Sequence, residues 1–280
     1  MVLNDLAFML KVVIIVDIII RMQIYILSIL VLIVIYVQLI TAGEKNSLQY
    51  RLFKFLILST MFAISMEAIA WIFDGQPGQV ARIIATATNS LLLSCNIIPL
   101  MMWTLYVDFQ IYNDTNRVKV SLIPFFVFVI INVLFALTAP INKLYFYMDA
   151  NNFYHRGDWA AIAIIIFYAL FIYNILLVMK NWKRLNKRNR IPLLLFSFPP
   201  LLGFFLQMRF YGVSFVWAGV SLSILMVYIT IQNQAIRTDY LTGLYNRRQL
   251  DYYLESRMKS LSKDQKFAGI MIDIDSFKQS

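Results

Sequence analysis

The sequence predicts a mainly α protein: a multi-pass transmembrane bundle of about seven helices, followed by the start of a small α/β domain. Three observations carry this. Of 280 residues, 60% are hydrophobic and only 14% charged, against roughly 45–50% and 25% in soluble domains. The mean hydropathy is +0.69, so lipid must solvate much of the surface. Finally, the composition changes abruptly after Ile231, where charged residues begin to recur every few positions.

A membrane-spanning helix needs about 20 mostly apolar residues. The runs that qualify are 22–42, 54–73, 83–107, 120–139, 159–179, 191–208 and 212–232. The last two form one stretch too long for a single helix, and Arg209 with Gly212 marks a tight turn between them. Residues 1–21 form an N-terminal extension: Leu6–Ile20 is apolar but contains Lys11 and Asp17. It lacks a basic start and a small-residue cleavage site, which argues against a signal peptide. Either Met22 begins the protein, or 1–21 is a surface or re-entrant helix.

Orientation follows from Lys and Arg in the connections. Lys45, Arg51 and Lys54 follow the first run, Arg117 and Lys119 the third, and Lys180, Lys183, Arg184, Lys187, Arg188 and Arg190 the fifth. Alternate connections carry only Arg82, then Lys143 and Arg156, then Arg209. The basic set is expected in the cytoplasm, with the N-terminus outside, the C-terminus inside and the chain in the cytoplasmic (inner) membrane. The same distribution explains the net charge of +10 without nucleic acid, whose binding would require a basic face with polar or aromatic readers. A single cysteine, Cys95, and a single histidine, His155, exclude an internal disulfide and disfavour a zinc site or a Ser-His-Asp triad.

Ionisable groups inside a membrane are costly and usually face the bundle interior. Glu67 is the clearest case, and Arg82 or Arg209 are its expected partners. Interhelical hydrogen bonding is one reading of this and of Asn89, Asn96, Asn132, Asn174 and Gln207. The other is a sensory pocket open to the outside, suited at Glu67 to a basic or polar ligand, with Glu67, Arg209, His155 and Arg156 as candidate residues. Connection 140–158 combines turn formers (Asp149, Asn151, Asn152, Gly157) with aromatics and predicts a short outer hairpin, either a capped loop or a lid. Pro99, Pro199 and Pro200 are expected as tolerated kinks.

Beyond residue 232, the last helix is expected to continue as a connector, with 233–280 forming connector and output fragment. Thr238–Arg248 reads as a turn-rich entry. From Arg247 an amphipathic helix presents Leu250, Tyr253, Leu254 and Met258 on one face. Phe267–Ile272 reads as a buried strand ended by Asp273. Carboxylates at the C-terminal end of such a strand lie where α/β sheets bind ligands. Asp273 and Asp275, two apart, can share one side of an extended chain. Paired carboxylates suit Mg²⁺ held with nucleotide phosphates, and Lys278 follows.

Two motifs carry a resemblance. Asp239-Tyr-Leu-Thr-Gly-Leu-Tyr-Asn-Arg-Arg248 resembles the DxLTGLxNRR opening of GGDEF domains, and Asp273-Ile-Asp-Ser-Phe-Lys278 is similar to the family's DxDxFK element. The helical region resembles membrane sensor halves often fused to such cyclases, notably at 154–157, 211–214 and 231–243. The resemblance implies a nucleotidyl-cyclase-like domain making cyclic di-GMP from two GTP as a homodimer. It implies that Asp273 and the Ile274 carbonyl bind Mg²⁺ or Mn²⁺, and that Ser276, Phe277 and Lys278 cradle the phosphates. Asp239, Leu241, Thr242, Gly243, Asn246, Arg247 and Arg248 would be structural, and Asp275 part of the motif. The guanine-contacting Asn-Asp pair and the signature GG(D/E)EF hairpin do not occur in the 280 residues. The expectation is therefore a fragment, inactive as it stands, of a membrane-bound cyclase responding to a small-molecule or physical stimulus. A non-enzymatic membrane receptor with a degenerate output domain is the alternative. A transporter is disfavoured because broken helices and inverted halves are not evident.

Overall fold

The computed structural model describes residues 2–41, 47–209, 214–235, 246, 247, 250, 251, 253, 254 and 270; within these, side chains are described except at 2–18, 20, 21, 188, 208 and 233–235. The chain divides into two units, Met1–Thr230 and Ile231–Ser280.

In the first unit, α1 (Val2–Thr41) enters as one uninterrupted helix, so the N-terminal extension and the first apolar run share a helix axis. α2 (Leu48–Phe73) starts where the Ser47 hydroxyl accepts from the Tyr50 N–H at 3.1 Å, a cap for one of the orphan donors of the first turn. α3 (Gln79–Cys95) and α4 (Ile98–Tyr112) follow. α5 (Thr115–Asn142) is capped by the Asp114 carboxylate, which accepts from Asn116 N and Arg117 N. A hairpin of β1 (Phe146–Met148) and β2 (Tyr154–Arg156) precedes α6 (Ala160–Lys180). α7 (Lys187–Leu195), α8 (Phe198–Arg209) and α9 (Phe215–Ala235) complete the bundle.

Among the described residues, seven stretches are long and apolar enough to cross a membrane: Met22–Thr41, Leu48–Phe73, Gln79–Tyr112, Thr115–Asn142, Ala160–Lys180, Asn189–Gln207 and Phe215–Gln232. The count matches the sequence reading, and two spans are interrupted near their prolines, at α3/α4 and α7/α8; at the first, Asn96 and Ile97 keep right-handed helical dihedrals, the kink expected at Pro99. Proline lacks an N–H and clashes with the carbonyl four residues back. For Pro99 that residue is Cys95, the last of α3; for Pro199 and Pro200 it is Leu195 and Phe196. Neighbouring helices meet the carbonyls the breaks release. Asn132 Nδ2 of α5 donates to Leu93 O at 2.6 Å and Ser94 O at 3.3 Å, and Ser223 Oγ of α9 donates to Phe196 O at 2.6 Å. Each break therefore keeps its backbone satisfied away from water.

α4 is the central helix, with residues from Pro99 to Ile111 buried on every face. Phe196, at the second break, stacks on Trp103 of α4 with ring centroids 3.5 Å apart. α2 packs on α3 and α4, α3 on α5, and α4 on α6. By contrast, α5 buries only Val118, Asn132, Ala136 and Ala139 and exposes Val120, Ile123, Phe126, Val127, Ile130 and Leu134, a lipid-facing stripe. α8 and α9 approach closely: a Cβ on Gly219 would lie 2.4 Å from Pro199 O, and one on Gly203 2.4 Å from Phe215 O. Small residues permit such backbone contact between membrane helices.

In the second unit, Arg247, Leu250, Asp251, Tyr253 and Leu254 are helical, and Leu250 N donates to Asn246 O at 3.0 Å, in line with the expected helix from Arg247. The expected buried strand at 267–272 is not supported at its one described residue: Ile270 is 88% exposed and outside regular structure. An apolar strand is buried only between flanking strands and covering helices, and the unit shows no strand among its described residues.

Candidate functional site

The α2–α3 connection and the hairpin form one cap at an end of the bundle. Tyr154 N donates to Asp74 Oδ1 at 2.8 Å, and Gly75 N to Asn152 O at 2.9 Å. Asn152 Nδ2 returns to Gln76 O at 2.8 Å and Gly78 O at 3.2 Å. Arg82 donates to Asp149 O, Met148 O and Asn152 Oδ1. The expected Glu67–Arg82 pairing is thus replaced by a staple between α3 and the hairpin turn. Its reason is reach: Arg82 stands at the first turn of α3, beside a loop of unpaired carbonyls, while Glu67 is six residues inside the end of α2, about 9 Å along its axis.

Under this cap lies a cavity of about 270 Å³. Its polar wall includes Glu67, Asn96, Asn132, Tyr145, Arg156 and Gln207; its apolar wall includes Phe128, Phe167, Phe204 and Trp217. Asn96 and Ile97, at the α3/α4 break, also face it. Irregular backbone at membrane depth is tolerated where it lines a cavity, so the break belongs to the site. Interrupted spans also occur in transporters, but here the interruption at Asn96 and Ile97 keeps helical dihedrals.

Glu67 holds three elements together. Its Oε1 accepts from the Tyr25 hydroxyl of α1 at 3.1 Å and from the Ser214 hydroxyl; its Oε2 accepts from Trp217 Nε1 of α9. The Tyr25 hydroxyl also points at Ser214 Oγ, 2.6 Å away, so its single proton is shared between Ser214 and Glu67. Tyr25, Ser214 and Trp217 are all buried. Three neutral donors thus distribute the charge, and sequence reading found the carboxylate but not these partners. Opposite, Tyr145 donates to Asn132 Oδ1 at 2.7 Å, so one asparagine ties the helix break to the lid. Burial holds the Tyr145 phenol above its ordinary pKa. Gln207 Oε1 is buried without a donor among the described residues.

The two adjacent candidates His155 and Arg156 separate. Residues alternate across a strand: Tyr154 and Arg156 line the cavity, while His155 turns to the exposed face, stacks on Tyr147 and pairs with Asp149 at 3.0 Å. Arg209 ends α8 and does not line the cavity.

The other sequence candidates are at the C-terminal end. Asp239, Leu241, Thr242, Gly243, Arg248, Asp273, Ile274, Asp275, Ser276, Phe277 and Lys278 lie outside the described residues, as does the turn at Gly212. Of the motif residues, Asn246 and Arg247 are described, at the start of the helix noted above. No group of three or more His, Cys, Asp or Glu suited to a metal occurs among the described residues.

The family model for the diguanylate cyclase GGDEF domain matches residues 236–280. This segment is similar to the start of GGDEF domains. No curated protein sequence matches the chain. The GGDEF match includes both motifs singled out above. GGDEF domains as a family bind GTP, commonly dimerise and generally use a divalent metal. The match begins at Ile236, directly after α9 ends at Ala235. A transport reading of the interrupted spans leaves the GGDEF segment without a role.

Proposed function

We propose that the chain is the sensory and connecting part of a membrane-bound diguanylate cyclase. It would lie in the inner membrane with the capped end outside and the GGDEF segment in the cytoplasm. The observation that carries this reading is the order of parts: seven apolar spans, the last being α9, followed at once by the GGDEF match. The distribution of Lys and Arg supports the orientation.

In this reading a stimulus at the bundle changes the position of α9, and α9 sets the geometry of two output domains. Each domain holds one GTP. The 3′-hydroxyl of each GTP attacks the α-phosphate of the other; two bonds to pyrophosphate break, two new phosphodiester bonds form, and two pyrophosphates leave. Ser276, Phe277 and Lys278 would hold the phosphates. Asp273 and the Ile274 carbonyl would bind Mg²⁺ or Mn²⁺, which supplies charge neutralisation at the phosphates when bound. Asp239 to Arg248 would join connector to catalytic domain, and Asp275 would support the metal loop.

The test is product formation. A protein joining this chain to the complete domain, in membranes with GTP and Mg²⁺, yields cyclic di-GMP; Asp273→Ala abolishes it. Unchanged product from Asp273→Ala would remove the metal assignment. GTP binding without any product would favour a non-enzymatic receptor.

A further inference from the structure

The cavity under the hairpin carries two ionic side chains, and their needs differ. The Glu67 carboxylate is already met by Tyr25, Ser214 and Trp217. The Arg156 guanidinium donates to no acceptor among the described residues, although its charge reaches the Tyr168 hydroxyl. That hydroxyl also lines the cavity and makes no hydrogen bond among the described residues. Arg156 is exposed, so water meets it; it is the cation of the wall with no protein acceptor among the described residues, and Tyr168 lines the same wall. Arginine presents a planar fork of donors that fits a carboxylate, and a phenol adds a further bond to such an anion.

The rest of the wall fixes the body of the ligand. Phe128, Phe167 and Phe204 present aromatic surface, against which rings pack favourably edge-on or offset. The volume, about 270 Å³, falls below the roughly 300–1,000 Å³ of drug-sized sites. It suits a small ligand better than the enclosed burial of two phospholipid acyl chains.

We propose that this cavity binds a small arylalkyl monocarboxylate, its carboxylate on Arg156 and Tyr168 and its ring among the phenylalanines. This deepens, and for its signalling consequence rests on, the reading of the bundle as a sensor. The link to output is direct: Trp217 of α9 both lines the cavity and bonds Glu67. A ligand there acts on the first turn of the helix that leads to the GGDEF segment. The basic or polar ligand expected at Glu67 from sequence gives way to an acid at Arg156.

Calorimetric titration tests this with the 280-residue chain in phosphatidylcholine nanodiscs, without GTP, using 3-phenylpropanoate as probe and 3-phenylpropan-1-ol as its neutral counterpart. Saturable binding of the acid is expected, at least tenfold tighter than the alcohol. Arg156→Gln should weaken the acid at least tenfold, with Arg156→Lys in between, and leave the alcohol unchanged. Arg156 is exposed, so these variants should fold. Tyr168→Phe is an independent arm, with an expected three- to tenfold loss for the acid. No saturable binding, equal affinity for acid and alcohol, or full affinity in Arg156→Gln would overturn the proposal. Displacement of the probe by phosphatidylglycerol in the nanodisc would also overturn it, in favour of a lipid anion. Because no nucleotide is present, failure here leaves the cyclase reading standing, and failure of product formation leaves this one standing.

Discussion

Two carboxylates lie within the apolar spans, and the bundle treats them in opposite ways. Asp108, near the end of α4, meets a cation: Arg117 Nε lies 2.9 Å from both of its oxygens. The Arg117 side chain remains 45% exposed and sits over the Tyr112 ring at 3.8 Å. Glu67 meets no cation among the described residues, only a phenol, an alcohol and an indole from α1 and the start of α9. An ion pair open to solvent joins two consecutive helices and is worth little. A carboxylate with neutral donors from distant elements ties those elements together and changes if any one moves. The first arrangement is a staple, the second a junction.

Removing the junction should cost most. Glu67→Ala removes the acceptor shared by the Tyr25 hydroxyl, the Ser214 hydroxyl and the Trp217 N–H, three buried contacts at once. Even at about 0.6 kcal/mol per interhelical hydrogen bond, the mean found within membranes, the loss is roughly 2 kcal/mol; unsatisfied buried groups at about 1–3 kcal/mol each would raise it further. Denaturation of the purified protein in mixed micelles measures this. The comparison breaks if Glu67→Ala is less damaging than Asp108→Asn.

The lid comes next. Asn132 joins the α3/α4 interruption to Tyr145 at the foot of the hairpin. Asn132→Leu strands Leu93 O and the Tyr145 hydroxyl, at an expected cost of about 1–2 kcal/mol. It should also speed hydrogen exchange in 145–156 while leaving α2 protected. Uniform exchange across the bundle would mean that the lid and the break are not coupled.

Asp108→Asn should cost less than about 1 kcal/mol, because Arg117 can turn to water. That small cost should shrink further in high salt, which screens exposed pairs, whereas the Glu67→Ala cost should not. Equal salt sensitivity at the two sites would erase the distinction.

Much of this was legible in the sequence, and the exceptions share a cause. The seven spans follow from apolar length, which lipid enforces locally. The hairpin follows from Asp149, Asn151 and Asn152. Pro99, Pro199 and Pro200 mark the kinks, but not which neighbours supply donors to the freed carbonyls. Those donors, Asn132 and Ser223, come from other helices. Glu67 was conspicuous by its cost, while Ser214 and Trp217 lie 147 and 150 residues away. Arg82 was matched to Glu67 by charge, although local carbonyls claimed it. His155 and Arg156 were grouped as neighbours, although strand alternation alone should have separated them.

The smallest effect belongs to the exposed face of the hairpin. The Asp149 carboxyl is held below its ordinary value, first by its hydrogen bond to His155 and then by the Phe153 and Asn151 N–H groups. A carboxyl depressed in the folded state adds stability that is complete above its unfolded pKa and is lost as pH falls through the folded one. The hairpin turn should therefore loosen below about pH 3.8, the ordinary value for this group, and not between pH 5 and 8 on its account. Asp149→Asn should remove this acid step, since the amide oxygen still accepts from the backbone but does not titrate. Hydrogen exchange of Asn151 and Phe153 at pH 3 and pH 5 reads it directly. The Glu67 junction lies beneath the same cap, on the far side of the strand from His155. If the acid step also loosened α1 and α9, the outer face of the hairpin and the junction would be one cooperative unit, and the division between lid and cavity would have to be redrawn.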